Sequence, residues 1–330
     1  MEIKKNQIDA LNVELTMEVA AADYAEIERK KLAERRRNAE FKGFRKGNVP
    51  ASLIQKVYGS QILVESVNQV VGENLDAYIK GEGLNIIGEP LASEKQPELD
   101  WTSGKDFTFV FDLGLTPEIA LEVGKEDTVS LYNITPAAET VKKMKENLKK
   151  YKEEQKQEAT DEEIDKEVSE TLSRTLAQEA DYQLGKDIRA YLVEKAGGVP
   201  VPEAFLRRWL LYANEGKVTE EQVDKEFPAF IKDYKWQLVR VALMRKFDLK
   251  VTEQDMFDAA ENYVRYQYSM YGLPEVPQDM VQDAAHRLLQ DGRMVGNLDE
   301  TVQNNKVMDK VKSLMTIKNK KIGEEKFRAL

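Results

Sequence analysis

The sequence contains no cysteine and only one histidine, His286. Disulfide bonds, thiolate nucleophiles and cysteine-based zinc sites are therefore excluded, and so is any metal site that needs two histidines. No apolar run approaches the roughly 18 residues that a membrane-spanning helix requires, and the first ten residues are polar, unlike a signal peptide. We expect a cytoplasmic protein with no metal, no cofactor and no membrane partner.

Motifs for nucleotide binding are missing as well. No Gly-Lys pair is followed by the Ser or Thr that completes a phosphate-binding loop. Gly81 and Gly83 lack the third glycine of a dinucleotide fingerprint, because position 86 is occupied by Ile86. His286 falls in a helical segment, where a structural or surface role is the simpler interpretation, and paired carboxylates lie in solvated helical runs. We therefore expect no catalytic residues.

Length and charge narrow the class of protein. The 330 residues include 49 Lys and Arg against 59 Asp and Glu, which gives a net charge of −10. The length allows two or three domains, at roughly 100–200 residues per domain. With 33% charged and 8% aromatic residues, the composition favours long solvated helices and an elongated molecule over one thick globule.

Residues 1–135 carry the strand signals. Strands are predicted, from alternating or continuous apolar residues, at 11–19, 84–87, 107–115 and 129–134. A capping box at Asp23 and Glu26 predicts a helix to about residue 38, and helical spacing continues from 50 to 80. The prediction is an α+β domain in which long helices cover one side of a small antiparallel sheet.

Beyond Pro136 the pattern becomes helical. Residues 136–159, rich in Lys and Glu, predict a projecting charged helix or linker. Residues 160–330 predict an elongated all-α domain with a helix break at Gly272, Pro274 and Pro277. Capping boxes start three of its helices, at Thr160 with Glu163, Thr219 with Gln222, and Thr252 with Asp255.

Positive charge is concentrated in residues 29–50. Nine Lys and Arg against two Glu give this segment a net charge of +7, which leaves −17 for the rest of the chain. Such segregation suggests docking to an anionic partner, with nucleic acid or a ribonucleoprotein as the natural candidate. The alternative is a helix face that is merely basic.

Within this segment, the glycines predict an exposed turn. Gly43 and Gly47 can adopt positive φ and Pro50 stiffens the exit, so that Phe44 is presented at the tip together with two cations. If Phe44 is buried locally, it only fills a core. If it is exposed, it is typical of an apolar anchor steered by the charges around it.

Residues 41–50, Phe-Lys-Gly-Phe-Arg-Lys-Gly-Asn-Val-Pro, resemble the Gly-Phe-Arg-x-Gly-x-x-Pro signature of bacterial trigger factor, a ribosome-associated chaperone. The basic helix before this stretch and the strand at 107–115 resemble the ribosome-binding domain of that family. Residues 160–330 resemble its C-terminal domain, whose helical arms hold nascent chains. The residues that the resemblance assigns to ribosome binding are Gly43, Phe44, Arg45, Lys46, Gly47, Pro50, Arg36, Arg37 and Lys42.

The function implied by this resemblance is that of an ATP-independent chaperone. Phe44, Arg45 and Lys46 would contact a protein of the large ribosomal subunit beside the exit tunnel, with neighbouring arginines near ribosomal RNA. Clients would be unfolded nascent polypeptides, and protein folding, export and cell division are the processes associated with the family. A homodimer away from the ribosome is a further implication.

Two other functions use the same features. A ribosomal-RNA-binding or ribosome-assembly factor without chaperone activity would use the same basic segment, although Phe41 and Phe44 are the only rings there for base stacking. An enzyme is the second alternative, since members of the family usually carry an FKBP-like prolyl isomerase domain between the two parts. Such a domain needs about 100 residues. Residues 136–159 leave no room for it, so we expect no isomerase activity.

Aromatic and methionine side chains cluster after residue 250. A chaperone surface must hold many unrelated apolar segments weakly, which favours scattered, adaptable contacts over one deep pocket. The candidate client-binding residues are Met256, Phe257, Tyr263, Tyr266, Met270, Tyr271 and Met294. Packing in the core of the helical domain is the alternative for each of them.

Overall fold

The computed structural model describes residues 1–273 and 275–330, and their contacts define two compact units. Unit 1 consists of Met1–Glu118 and Pro200–Ile231, and unit 2 of Ile119–Val199 and Lys232–Leu330. Pro274, part of the predicted helix break, lies outside the described residues. Among the helices of the described residues, none is long and apolar enough to cross a membrane.

Four antiparallel strands form the sheet of unit 1. They are β1 (Glu2–Gln7), β2 (Asn12–Val19), β3 (Ile86–Ala92) and β4 (Phe107–Leu115), in the order β1-β2-β4-β3. Val13 of β2 lies opposite Leu113 of β4, and Met17 lies opposite Phe109. Because side chains alternate between the two faces of a sheet, these residues share one face, and all four are buried.

Two long helices, α1 (Ala21–Asn38) and α2 (Ala51–Gly81), supply the rest of this core. Leu63, Val67 and Val70 of α2 follow one another at helical spacing and pack against the sheet residues. Tyr24 of α1 is fully buried among them and donates a hydrogen bond to the Lys105 carbonyl at 2.8 Å. The predicted α+β arrangement of the N-terminal part is confirmed.

A third helix of unit 1, α5 (Glu203–Ala213), packs on β3 and β4. Gly114 of β4 allows the close approach, because a Cβ atom at that position would lie 2.5 Å from the ring of Phe205. Arg208 of α5 donates hydrogen bonds to Asp112 Oδ2 at 2.6 Å and to the Ala92 carbonyl at 2.8 Å. The helix is thus held to the sheet by an apolar contact and by the polar contacts of Arg208.

Unit 2 is largely helical and contains one pair of parallel strands. The strands are β5 (Thr128–Thr135) and β6 (Thr316–Gly323), with Thr128 opposite Thr316. The helices are α3 (Ala138–Glu154), α4 (Asp161–Lys195), α7 (Glu253–Met270), α8 (Gln278–Leu288), α9 (Gly292–Leu314) and α10 (Glu324–Phe327). One more helix, α6 (Glu220–Lys246), starts in unit 1 and ends in unit 2.

Asp127, directly before β5, connects this strand to the end of α4. Its carboxylate accepts hydrogen bonds from the Tyr191 hydroxyl and from Lys195 Nζ, both at 2.5 Å. Burial alone would raise the pKa of Asp127, but the bonds from Lys195 and Tyr191 outweigh burial and lower it. The hydrogen bond between Tyr191 and Asp127, together with burial, raises the pKa of Tyr191 to about 12.

The stretch predicted as a projecting charged helix or linker contains a helix, α3, which packs against α4 as half of a helical hairpin. The apolar contacts join Val141, Met144 and Leu148 of α3 to Ile164, Val168 and Leu172 of α4. Lys145 pairs with Asp165 at 2.7 Å and Lys152 pairs with Glu167 at 2.6 Å. The thin apolar stripe of α3 is therefore covered by α4, and ion pairs between the two helices flank it.

Three details of the sequence-based prediction are wrong. Strand β5 does not join the antiparallel sheet, because it pairs with β6, a strand that was not expected in the helical part. Strand β1 was also missed. The third error is the start of helix α1, which was predicted at a capping box of Asp23 with Glu26. The helix begins at Ala21, and Asp23 lies in its first turn, where its carboxylate accepts a hydrogen bond from the Ala20 N–H at 2.9 Å.

The two units alternate along the chain, whereas the predicted domains follow one another. Residues 200–231, predicted in the helical domain, belong to unit 1 through their contacts, and residues 119–135 belong to unit 2. The boundaries at 135 and 160 remain a proposal about domains. By contrast, the capping boxes at Thr160, Thr219 and Thr252 are all formed.

Candidate functional site

Residues 41–50, which we call the signature loop, fold as two consecutive tight turns. The Phe44 N–H donates to the Phe41 carbonyl at 3.0 Å, and the Asn48 N–H donates to the Arg45 carbonyl at 2.9 Å. The third residue of each turn is a glycine, with φ of +92° at Gly43 and +82° at Gly47. Positive φ at that position is the requirement of a type II turn. The backbone conformation of the two turns therefore explains why glycine occupies positions 43 and 47.

The side chain of Phe44 lies at the tip and is 43% exposed. Lys42, Arg45 and Lys46 around it are exposed as well. Of these cations, Lys46 has a carboxylate nearby, with Glu40 at 4.0 Å. Of the two roles considered for Phe44, this exposure fits the apolar anchor and not the core residue.

Phe41 fills the core below the loop instead. A small cluster there contains the buried residues Ala39, Val49 and Ile54 with Phe41 and Tyr58 beside them. The Phe41 ring meets the Tyr58 ring edge-on, with centroids 6.1 Å apart, and the Arg35 guanidinium lies 4.2 Å above the centroid of Tyr58. A cation–π contact such as that of Arg35 with Tyr58 contributes about 0.5–1 kcal/mol at an exposed site. The cluster fixes the base of the loop while its tip stays outside.

Arg36 and Arg37, both predicted as ribosome contacts, are held differently. Arg36 donates from Nε to the Val49 carbonyl at 2.7 Å and so ties the end of α1 to the exit of the loop. Arg37 makes no side-chain hydrogen bond or ion pair to any described residue. Pro50 is the N-cap residue of α2, so the signature ends where this helix begins.

A groove between α1 and the start of α2 adjoins the loop, and sequence reasoning missed it. Its volume is about 650 Å³, and its lining includes Gly47 together with Arg29, Arg36 and Arg37. Glu28, also in the lining, is a buried carboxylate. The basic segment was defined from Arg29 onward and so excluded Glu28. Nothing in the charged sequence around Glu28 indicated that its side chain is buried.

The candidate client-binding residues divide into two groups. Four form an exposed row on α7 and at its end, which we call the α7 stripe: Tyr263, Tyr266, Met270 and Tyr271. Tyr271 is 80% exposed, and the neighbouring Leu273 and Met280 are also exposed. The other three, Met256, Phe257 and Met294, are partly buried. Phe257 packs on the ring of His286 with centroids 4.7 Å apart, and it contributes with Met256 to the core of the α7–α8 region.

The start of α7 is fixed by charge. Asp255 accepts hydrogen bonds from the Thr252 side chain at 2.6 Å and backbone at 2.7 Å, and it pairs with Lys306 of α9 at 2.7 Å. The bond from Lys306, followed by those from Thr252, lowers the pKa of Asp255 to about 2. The α7 stripe is therefore carried on a helix whose first turn is tied to its neighbour.

Two family models match the chain and together account for most of it. The model described as bacterial trigger factor protein matches residues 1–148, and the model described as probable trigger factor, C-terminal domain, matches residues 180–330. The chain belongs to the trigger factor family. The matches leave only residues 149–179 between the N- and C-terminal domains of this family.

Curated trigger factors align with part of this member of the family. The trigger factor of Geobacter sp. (strain M21) is 32% identical over 132 residues, which cover 38% of this chain and 29% of that protein. The trigger factor of Jannaschia sp. (strain CCS1) is 30% identical over 148 residues, covering 45% and 33% respectively. The chain thus spans about a third of the length of these trigger factors.

A solved structure shares the fold over nearly the whole chain. It is described as "Promiscuous Substrate Recognition in Folding and Assembly Activities of the Trigger Factor Chaperone". The match covers 94% of this chain and 99% of that one, with a TM-score of 0.52 and 14% sequence identity. At that identity the comparison establishes the trigger factor architecture alone, an α/β N-terminal part followed by a largely helical part.

Proposed function

We propose that this trigger factor is an ATP-independent chaperone that docks on the large ribosomal subunit near the exit tunnel and shields unfolded chains from aggregation. The observation that carries the proposal is the exposed Phe44 at the tip of the signature loop, with exposed cations on both sides. An apolar anchor within a ring of like charges suits a surface that is both proteinaceous and anionic. A ribosomal protein bordered by ribosomal RNA is such a surface.

The rigidity of the loop supports this role. Turn hydrogen bonds close both halves of the loop, and Arg36 and Phe41 fix its base. Because these contacts already order the backbone of the loop, we expect little ordering entropy to be lost when Phe44 enters a pocket. We propose that Phe44, Arg45 and Lys46 contact the ribosomal protein, and that Arg37 and Lys42 lie toward RNA.

Co-sedimentation with bacterial ribosomes tests the docking site. We expect Phe44→Ala, Arg45→Ala and Lys46→Ala combined to weaken binding at least tenfold, since truncating a central anchor typically costs more than 1 kcal/mol and often 2 kcal/mol. The matched control combines Tyr212→Ala, Lys217→Ala and Lys225→Ala, which removes one exposed ring and two exposed cations elsewhere in unit 1. Equal binding of both variants and the wild type would refute docking through the loop.

Client holding is proposed for the α7 stripe. Its members combine large apolar area with polar tips or a flexible thioether, which suits weak contacts with many different sequences. The proposed contribution of Met256, Phe257 and Met294 is smaller, since these side chains are partly buried and offer less surface to a client.

Suppression of aggregation of a chemically unfolded client tests the stripe. Tyr266→Ser, Met270→Ser and Tyr271→Ser remove exposed side chains and should leave stability within about 0.5 kcal/mol, while a higher chaperone concentration is needed for the same protection. Tyr151→Ser with Tyr182→Ser, two exposed tyrosines on α3 and α4, should leave protection unchanged. Full protection by the stripe variant would place client binding elsewhere.

We further propose that this family member has no prolyl isomerase activity. Only residues 149–179 separate the two matched domains, whereas an FKBP-like domain needs about 100 residues. Acceleration of cis–trans exchange in a proline-containing peptide by the pure protein would contradict this. We also propose that the protein is cytoplasmic and that it can form a homodimer away from the ribosome. Analytical sedimentation of the free protein measures its oligomeric state.

A further inference from the structure

The groove between α1 and α2 combines a cationic rim with a buried acceptor. Arg29, Arg36 and Arg37 line it and are exposed. In the described part of the chain, Arg29 and Arg37 donate no side-chain hydrogen bond and form no ion pair within 4 Å. The charge of Arg29 acts on Glu26, but neither guanidinium group is hydrogen-bonded to a carboxylate of the described residues. Guanidinium groups in this state can bind phosphate with two parallel hydrogen bonds.

The acceptor is Glu28, which is only 6% exposed. Its Oε2 atom accepts a hydrogen bond from Ser103 Oγ at 3.0 Å, but its Oε1 atom has no hydrogen-bond donor among the described residues. A buried oxygen in this state costs free energy that a donor from outside would recover. Because the terminal torsion of a glutamate is broad, the carboxyl group can turn toward a donor placed in the groove.

We propose that this groove binds the sugar–phosphate backbone of RNA, with phosphates at the arginines and a ribose 2′-hydroxyl donating a hydrogen bond to Glu28. The inference rests on the proposed docking to a ribonucleoprotein and names the chemistry at its edge. Continuity supports it, since Gly47 of the signature loop lines the same groove. A volume of about 650 Å³ is large enough for part of a nucleotide chain.

Other ligands complement either the arginines of the groove or Glu28, but not both. A lysine or arginine side chain would pair with Glu28 but would meet three guanidinium groups at the rim. An acidic peptide would pair with the arginines but would bring carboxylates toward Glu28, and like charges repel. DNA offers the phosphates but lacks the 2′-hydroxyl, which is the group that lets a protein distinguish RNA from DNA.

Fluorescence anisotropy with the full chain tests the proposal. The probes are a short single-stranded RNA, DNA of the same sequence, and the 2′-O-methyl form of the RNA. The wild type should bind the RNA about tenfold more tightly than the other two, as expected for a hydrogen bond to a charged acceptor. The 2′-O-methyl probe keeps the test valid even if a Glu28 variant does not fold.

Variants separate the two halves of the groove. Glu28→Met should abolish the preference for RNA over DNA, whereas Glu34→Met, which removes an exposed charge from the same helix, should keep it. Arg29→Ala with Arg37→Ala should weaken RNA and DNA binding alike and reduce the slope of log affinity against log salt by about 0.7 for each lost phosphate contact.

Three outcomes would overturn the proposal: equal affinity of the wild type for RNA and DNA, a preference that survives Glu28→Met, or stronger binding of an acidic peptide in the same groove. Ribosome sedimentation of the same preparation keeps the two proposals apart. Ribosome binding without RNA preference would reject the groove alone. RNA preference without ribosome binding would reject the proposed docking alone.

Discussion

Asp255 is a single residue that both caps a helix and joins it to a neighbouring helix. It caps the first turn of α7 through Thr252 and ties that turn to α9 through Lys306. These hydrogen bonds favour the ionised carboxylate, so protonation weakens them together and removes the ion pair with Lys306. The α7 stripe thus lies on a helix whose opposite end is stabilised by the charge of Asp255.

The pH dependence of stability follows from this charge. An unfolded Asp has a pKa of about 3.9, and the folded pKa of Asp255 is about 2. A depressed folded pKa contributes stability above the unfolded value that is lost as pH falls toward the folded one. The wild type should therefore melt at a higher temperature than Asp255→Asn at pH 6, and the two should converge as pH falls from 4 to 2.

Asp258→Asn is the control for this measurement. Asp258 is exposed on the same helix and accepts a hydrogen bond from Gln254 at 2.8 Å, and no Lys or Arg among the described residues forms an ion pair with it. Because it removes no ion pair, Asp258→Asn should keep the melting temperature at pH 6 close to that of the wild type. A gap between wild type and Asp255→Asn that persists at pH 2 would show that the stabilisation is not carried by the ionised carboxylate.

Single residues at the loop show what sequence can and cannot give. Gly43 and Gly47 are predictable, because positive φ in a tight turn is a local requirement. The division of labour between Arg36 and Arg37 is not, since the Val49 carbonyl that accepts from Arg36 lies 13 positions away. Glu28 could not be recognised for the same reason, since Ser103, which donates a hydrogen bond to it, lies 75 positions away.

At the scale of elements, the contact of α5 with β4 depends on a missing side chain. Gly114→Ala would place a Cβ atom 2.5 Å from the Phe205 ring, so the helix or the strand must shift. Overpacking of this kind costs about 1–3 kcal/mol. We expect a lower midpoint in urea unfolding with an unchanged slope.

Gly72 provides the matched control for Gly114. It lies inside α2, and a Cβ atom there would meet no atom within 4 Å. Gly72→Ala should stabilise the protein by about 0.5–1 kcal/mol, since alanine is the better helix former. Stabilisation by both substitutions would mean that α5 does not press on the sheet at Gly114.

Strands β4 and β6 mark the limits of prediction for whole elements. Alternating phenylalanines made β4 predictable within its observed bounds, Phe107–Leu115. β6, with the sequence Thr-Ile-Lys-Asn-Lys-Lys-Ile-Gly, has no such alternation and lies in a helical context. Its partner β5 was predicted as a strand but placed in the wrong sheet, because a parallel pairing across unit 2 leaves no local signal.

At the scale of the molecule, charge segregation predicts a salt-dependent docking. The segment 29–50 carries +7 in a chain of net −10, so the remainder is repelled by RNA while the segment is attracted. Ribosome affinity should fall about tenfold or more between 50 and 200 mM salt, since released counterions and screening both act on exposed charges.

Client protection by the α7 stripe should respond differently to salt. The contacts proposed between this stripe and clients are largely apolar, so protection should stay constant or strengthen over the same range. Measuring both activities in one salt series uses one as the control for the other. Ribosome affinity that does not change with salt would contradict docking by the basic segment.

The parallel pairing of β5 with β6 sets the order in which the chain can fold. The same seam includes a hydrogen bond from the Ala137 N–H to Glu324, 187 positions later. At about 5–20 residues per second, ribosomes need roughly 10–40 s to synthesise that interval. During this time β5 has no ladder partner and unit 2 cannot close. A newly made copy is then itself an incomplete chain emerging from a ribosome, in the same condition as the clients proposed for it.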